Sequence, residues 1–424
     1  MNTTLAEGLT PARVELASGA VVTVQETAMT PAVTISAAFR AGSVCDPPDY
    51  PGLSYLTGRV LDRGTSRHSA RAIAEALDDR GVSLKVSTGR HTLTLSCTCL
   101  ADDFDDVLAI VGDVSRRAVF LEEEIEKQRR EAVTVLGQQE DNPASRALDS
   151  VLELLYTPRH PYGRPTKGTV GGLTAARRPD LVAFHAEHVV PASLSLVVVG
   201  KVAPEHAVAR AATELDGWSA GPPPAMHVPP PPTAPLRQHR LVGMPGKPQA
   251  DIVYGFTTVP RLDPRFYAYW LMNHVLGQFG LGGRLADNIR ERQGMAYYAF
   301  STLDALPGDA PLLIRAGVDP ADVDRALAAI DHEVAALARE GPTVAEIEEC
   351  RSYIVGAIPR MLETNENIAA FLQTAEEFGL GLDFDRRLPG LINEVTPEAI
   401  HAAAAAVLNP ERAAITVAGP LERQ

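Results

Sequence analysis

The sequence predicts an α+β protein of two structurally related domains, each a mostly antiparallel sheet backed by helices. Three observations carry this. Hydrophobic residues make up 45% and charged residues 22% of the 424, the balance of a globular chain long enough for two or three domains. A proline-rich stretch, Gly221 to Pro235, falls midway. The segments on either side of it run through the same order of strands and helices.

The elements follow from local chemistry. In the first half, Val21 to Gln25 and Val33 to Phe39 are rich in β-branched residues and read as strands. Ser69 can cap a helix whose apolar Ile73 and Leu77 lie four apart, and Gly81 can close it. The strand Leu93 to Leu100 follows. A second helix carries Phe104, Val107, Leu108 and Val111 on one face. In the second half, Asp251 to Thr257 and Ala310 to Gly317 read as strands. Asp319-Pro320 is a helix start, and Val323, Leu327, Ile330, Val334 and Leu337 form its buried stripe up to Gly341. Thr343 and Glu346 make a capping box. Each half ends on a helix, an apolar strand and a glycine: Leu194 to Gly200 in the first, Ala413 to Gly419 in the second. Thr174 and Thr396 stand where caps of those last helices are expected.

Eight of the fifteen residues from 221 to 235 are proline. Proline fixes φ and removes the amide donor, so this stretch is expected to be a semi-rigid extended spacer. The expected domains are therefore 1–220, the linker 221–235, and 236–424.

Composition excludes several function classes. The net charge of −14 repels phosphate backbones, and 5% aromatic residues leave little for base stacking, so nucleic acid is excluded as a partner. No apolar run reaches the ~18 residues of a membrane helix. The start, Met1 to Gly19, lacks the pattern of a secretory signal. The four cysteines, Cys45, Cys97, Cys99 and Cys350, form no disulfide framework or Cys-x-x-Cys and read as reduced small hydrophobes. Together these point to a cytoplasmic protein.

No phosphate-binding loop, Gly-x-Ser-x-Gly elbow or His-Glu-x-x-His occurs. His185 and His188 are three apart on a helix but have no evident third ligand, and they read as solvated histidines.

One stretch carries more. Gly280 to Phe300 reads GLGGRLADNIRERQGMAYYAF. It resembles the C-terminal domain of the pitrilysin/insulinase-like (inverzincin) zinc peptidases, which include the mitochondrial processing peptidase. Arg290 and Tyr297, seven apart with Gly294 between, have the spacing of that family's Arg/Tyr pair. His160-Pro161-Tyr162-Gly163-Arg164-Pro165 with Gly168-Thr169, Pro191 with the strand to Gly200, Ala41-Gly42-Ser43, Gly52-Leu53 and Gly64-Thr65 match further landmarks in order, so the resemblance spans nearly the whole chain.

The metal motif departs from the family. Where His-x-x-Glu-His is expected, this chain has Tyr55, Gly58 and Arg59. The third ligand, a glutamate, would fall near Val135, with Glu131 and Glu140 close by. Arginine has no lone pair to give and carries a permanent positive charge. Glycine cannot take a proton from a metal-bound water. No metal is therefore expected in this chain.

The resemblance implies a division of labour. A zinc-bearing homologous subunit would supply the metal, and this chain would supply Arg290 and Tyr297, with Gly282 and Gly283 beside them, to bind a peptide or unfolded polypeptide and steady the oxyanion of its attacked carbonyl. The alternative is a non-enzymatic assembly or core subunit of a larger complex, and self-pairing stays open when the partner is absent. A third is an autonomous hydrolase using His185 and His188.

Overall fold

The computed structural model describes residues 8–28, 30–218, 221–232, 236–278 and 282–421. Along the chain, β1 (Ala12–Glu15), β2 (Val21–Glu26) and β3 (Ala32–Phe39) come first, then α1 (Leu53–Val60) and α2 (Ala70–Asp78). β4 (Lys85–Thr88) and β5 (Leu93–Leu100) are followed by α3 (Phe104–Arg117), α4 (Glu122–Glu140), α5 (Pro143–Tyr156), α6 (Val170–Ala175) and α7 (Arg178–His188). β6 (Leu194–Gly200) and α8 (Pro204–Leu215) close the first half. The second half runs β7 (Gln238–Gly243), β8 (Ala250–Thr257), α9 (Phe266–Asn273), β9 (Ala296–Leu303) and β10 (Pro311–Val318). It continues with α10 (Val323–Glu340), α11 (Val344–Met361), α12 (Asn365–Glu377), α13 (Phe384–Asn393), α14 (Pro397–Val407) and β11 (Ala414–Gly419).

The caps explain where the helices begin. Ser69 accepts from Ala72 N and starts α2, and Gly81 (φ +64°) turns the chain after it. Thr343 and Glu346 bond each other's backbone amides and start α11. Thr396 caps α14 by accepting from Ala399 N. Thr174 does not cap the corresponding first-half helix. It lies inside α6, bonding Val170 O, and the reciprocal bond at the start of α7 runs from Arg177 N to Asp180. A short extra helix fills the place where a cap was expected. The apolar stripe of α3 (Phe104, Val107, Leu108, Val111, Val114) is buried, each side chain worth ~1.5–3 kcal/mol.

The two sheets share one plan. The first has strand order β1-β2-β6-β3-β5-β4 and the second β7-β11-β8-β10-β9. In each, one pair is parallel, β2 with β6 and β7 with β11, and the rest are antiparallel. β1 apart, the orders superimpose strand for strand, so β4 corresponds to β9 and β3 to β8.

The compact units do not follow the 1–220 and 236–424 division. Unit 1 comprises 1–136, 165–227 and 358–386, and unit 2 comprises 137–164, 228–357 and 387–424. The reason lies in two helices. α5, from the first half, packs on β8 and β11 of unit 2. There Gly255 makes room for Val151 and Leu155. α12, from the second half, packs on β3 and β6 of unit 1, burying Ile368, Ala369 and Leu372 against Val197 and Val199. Gln373 adds polar ties by donating to Ser36 O and Ser195 O. Residues 221–232 form neither helix nor strand, as their prolines require, and Thr233 to Pro235 lie outside the described residues.

Candidate functional site

In unit 1, α1 carries Tyr55, Gly58 and Arg59. The helix starts where the buried Asp46 carboxylate accepts from Gly52 N and Ser54 N, each at 2.7 Å, in place of a cap on the helix itself. Gly52 has φ +104°, and a Cβ there would lie 2.8 Å from Lys167 O. A Cβ at Gly168 would collide with Pro51 O and Gly52. The landmarks Gly52-Leu53 and Gly168-Thr169 are thus one backbone crossing that seats α1.

Arg59 makes an ion pair with Glu131 of α4, Nη2 to Oε2 at 2.7 Å. Its other terminal nitrogen donates to Tyr55 Oη at 3.4 Å, and its guanidinium carbon lies 5.8 Å from the Tyr55 ring centre. Glu131 is therefore the acidic residue of α4 that meets the motif. It stands one helical turn before Val135, so it shares that position's face. Gly58 packs against β4: a Cβ there would sit 2.7 Å from Thr88 Oγ1 and 3.3 Å from Leu93 Cδ1. The space a general base would need is filled by the sheet.

These residues do not fit zinc. The cation that faces Glu131 is the chain's own guanidinium, and no imidazole stands at 55 or 59. Among the described residues no group of three His, Cys, Asp or Glu side chains could hold a metal ion. His185 and His188 form no metal site among the described residues and are not solvated, contrary to expectation. His185 Nε2 lies 2.7 Å from Ser115 O, with its ring edge-on to Phe120 at 5.3 Å. His188 packs on Phe184 at 4.6 Å. Burial holds both imidazoles below their ordinary pKa. All four cysteines are free thiols, and burial pushes Cys45 and Cys97 up to about 12.

In unit 2, Arg290 lies on a π-helical segment, Ala286–Arg292, and Tyr297 on β9. π-Helical turns are rare and often mark functional positions. Gly294, at φ +63°, reverses the chain between them, with Gly294 N donating to Arg290 O and Met295 N to Ile289 O. Tyr297 is 85% exposed. The Arg290 side chain is 42% exposed, and among the described residues its guanidinium pairs with the neighbouring Glu291, at 3.6 Å. The rest of the segment is braced. Arg284 makes a two-pronged bond to Glu346 and donates to Gly341 O. Asn288 donates to Glu333 at 2.6 Å and accepts from Gln293 at 2.7 Å. The braces to Glu333 and Glu346 were not legible beforehand, because those partners lie on α10 and α11. Gly283, at φ +89°, has its α-carbon beside Gly277, where a Cβ would lie 2.9 Å from Gly277 Cα. Gly282 is half-buried next to it, and Gly280 and Leu281 lie outside the described residues.

The loop His160 to Pro165 has a mechanical role in unit 2. His160 Nδ1 accepts from Tyr162 N, which leaves Nε2 to donate to Pro229 O at 2.8 Å. Its ring stacks on Tyr156, and Tyr156 and Tyr162 bond Asp309 O and Gly308 N. The loop fastens the proline-rich segment.

Residues 21–170 match the model of the insulinase family of M16 peptidases, and residues 175–354 match the peptidase M16 inactive domain. The chain belongs to peptidase family M16. Among curated proteins it is similar to an uncharacterized zinc protease of Mycobacterium leprae, 26% identical over 382 residues, covering 87% of this chain and 82% of that one. One from Streptomyces coelicolor is 25% identical over 390 residues, 90% of this chain and 83% of that one. Among solved structures, a peptidase M16 inactive domain from Pseudomonas fluorescens superimposes with a TM-score of 0.91 at 23% identity, covering 98% and 99% of the two chains. A protease from Helicobacter pylori does so at 0.90 and 15% identity, covering 97% and 100%. The M16 fold is thus present in full, while this member's metal-motif positions hold an ion pair and a glycine. No helix among the described residues is long and apolar enough to cross a membrane.

Proposed function

We propose that this M16 chain is the non-zinc subunit of a heterodimeric metallopeptidase, working with a homologous partner that bears His-x-x-Glu-His. One contrast carries the reading. The ligand positions of unit 1 are closed by the Arg59–Glu131 bridge, while Arg290 and Tyr297 of unit 2 stand exposed with no strong partner among the described residues. A guanidinium offers several fixed donors and a phenol one more. Aimed at the carbonyl of a bound peptide, they would orient it and take up the negative charge that develops on its oxygen. Removing one such donor typically costs ~3 kcal/mol of transition-state stabilisation. An exposed tyrosine of this kind has no packing role that would explain it.

The test is a peptidase assay of this chain alone, of the zinc-bearing homologue from the same genome alone, and of the two mixed. Activity that rises only in the mixture, with zinc bound by the homologue alone, is the expected result. Equal activity with and without this chain would overturn the division of labour and leave the role of an assembly subunit.

A further inference from the structure

Unit 1 holds a cavity of about 400 Å³ away from the motif helix's Arg59, within the size range of small-ligand sites. Its floor is the short turn at Cys45, the start of α1 and one face of α7. The proline-rich segment adds Met226 and His227 to its lining. The walls are apolar and aromatic, with Tyr50, Leu53 and Phe184 among them. The charged groups lining it are all acidic: Glu187 and Asp180, with no lysine or arginine. Asp180 is already engaged by Arg177 N, so Glu187, at the exposed side, is the available anion. Its charge acts on both Cys45 and His188, so the field inside the cavity is negative.

His188 supplies the second observation. It is only 8% exposed, and its Nδ1 is buried with no hydrogen-bond partner among the described residues. Burial keeps the ring neutral, so one of its nitrogens is an acceptor. A neutral imidazole and aromatic faces beside a carboxylate make a lining complementary to an organic cation, and one that repels an anion.

We propose that this cavity binds a small organic cation, an ammonium carried on an apolar body, with the charge toward Glu187 and His188 and the body against Phe184 and Tyr50. This reading is independent of the peptidase proposal. Calorimetric titration of the full chain with phenethylammonium chloride tests it, against 2-phenylethanol and 3-phenylpropionate as neutral and anionic analogues of similar shape. Saturable one-to-one binding of the ammonium, at least about tenfold tighter than the alcohol and with no binding of the carboxylate, is expected. Glu187→Gln, a surface change on α7, should weaken it by about tenfold, with an unchanged melting temperature showing that the fold is intact. A parallel titration with phenylalanyl-alanine amide and its N-acetyl form assigns the source: binding of the free-amine peptide points to a peptide amino terminus, and its failure points to a free amine. No saturation below about 10 mM, equal binding of the three phenyl compounds, or an unchanged affinity in Glu187→Gln would each overturn the proposal.

Discussion

Units 1 and 2 share a strand order, yet they treat their polar groups in opposite ways. In unit 1 the side chains at the motif are turned inward on one another: Arg59 on Glu131 and Tyr55, and Gly58 against Thr88. In unit 2, on the strand equivalent to β4 and the segment before it, Tyr297 and Arg290 face solvent while every neighbour that steadies them is bonded. Rigid surroundings with unengaged donors are the arrangement expected where a ligand completes the hydrogen bonding. Engaged charges are the arrangement expected where a function has been given up and the fold retained. Under the proposed division of labour, the same framework would carry one half-site closed on itself and one left open.

The largest effect should come from forcing unit 1 back toward the family pattern. Gly58→Glu places a side chain against Thr88 Oγ1 and Leu93 in a buried position. Overpacking together with a desolvated carboxylate should cost about 3 kcal/mol or more. Thermal or denaturant unfolding reads this directly, and adding Thr88→Ala should return part of the loss. A Gly58→Glu protein as stable as the parent would show that the cradle is open and that the departure from the family's metal motif is one of ligands alone.

Next in size is the open half-site. Arg290→Ala and Tyr297→Phe should each lower turnover of the mixed peptidase by about a hundredfold, equivalent to ~3 kcal/mol. Because both side chains are exposed, stability should move by less than about 0.5 kcal/mol. Loss of stability without loss of turnover would reverse the assignment and make the pair structural.

How much of this was legible beforehand depends on sequence distance. Strands, caps and the two-domain plan could be read because their signals are local: Ser69 sits three residues from the amide it accepts, and Thr343 three from Glu346. The spacing of Arg290 and Tyr297 could be read for the same reason, across one turn at Gly294. The exchange of α5 and α12 between the halves could not, since each helix buries its apolar face on strands some hundred or more residues away. Neither could the distant partners of Arg284 and Asn288, whereas Glu131, the partner of Arg59, was within reach through the family's third-ligand position. Thr174 misled because an unpatterned turn of helix, α6, intervenes before α7. His188 misled because its polarity suggested solvent, while Phe184, one turn earlier, holds it in the interior.

A pH titration distinguishes the units by a third, smaller effect. Burial, aided by the charge of Arg90, pushes His91 of unit 1 down to about 4. A folded-state pKa below the ordinary ~6.5 means the unfolded chain takes up its proton first. The contribution is fully present above about pH 6.5 and is lost as pH falls toward 4, with a ceiling of about 3 kcal/mol and a realised loss near 2 at pH 5. His185 and His188 shift in the same direction. Hydrogen exchange followed from pH 7 to 4.5 should therefore show β3 and β5 losing protection, and His91→Gln should flatten the response. Protection that falls equally in β8 and β10 would place the acid-sensitive groups elsewhere, since His274 of unit 2 is also held neutral by burial.

The smallest expected effect concerns the bridge that stands at the family's metal position. Arg59 and Glu131 keep 26% and 48% of their side chains exposed, so solvent screens the pair. A double-mutant cycle of Arg59→Met and Glu131→Gln should give a coupling of about 0.5–1 kcal/mol, shrinking as salt is raised toward 1 M. Arg59→Met retains the stem that packs beside Tyr55 and so isolates the charge. The value matters because it separates two accounts of unit 1. A weak coupling means that α1 is held by Asp46, the Gly52–Gly168 crossing and the core, and that the guanidinium merely neutralises a carboxylate left facing it. A coupling above about 2 kcal/mol would mean that the arginine does for the fold what a bound metal does in a structural site, and then chelators should leave this chain untouched while Arg59→Met unfolds it.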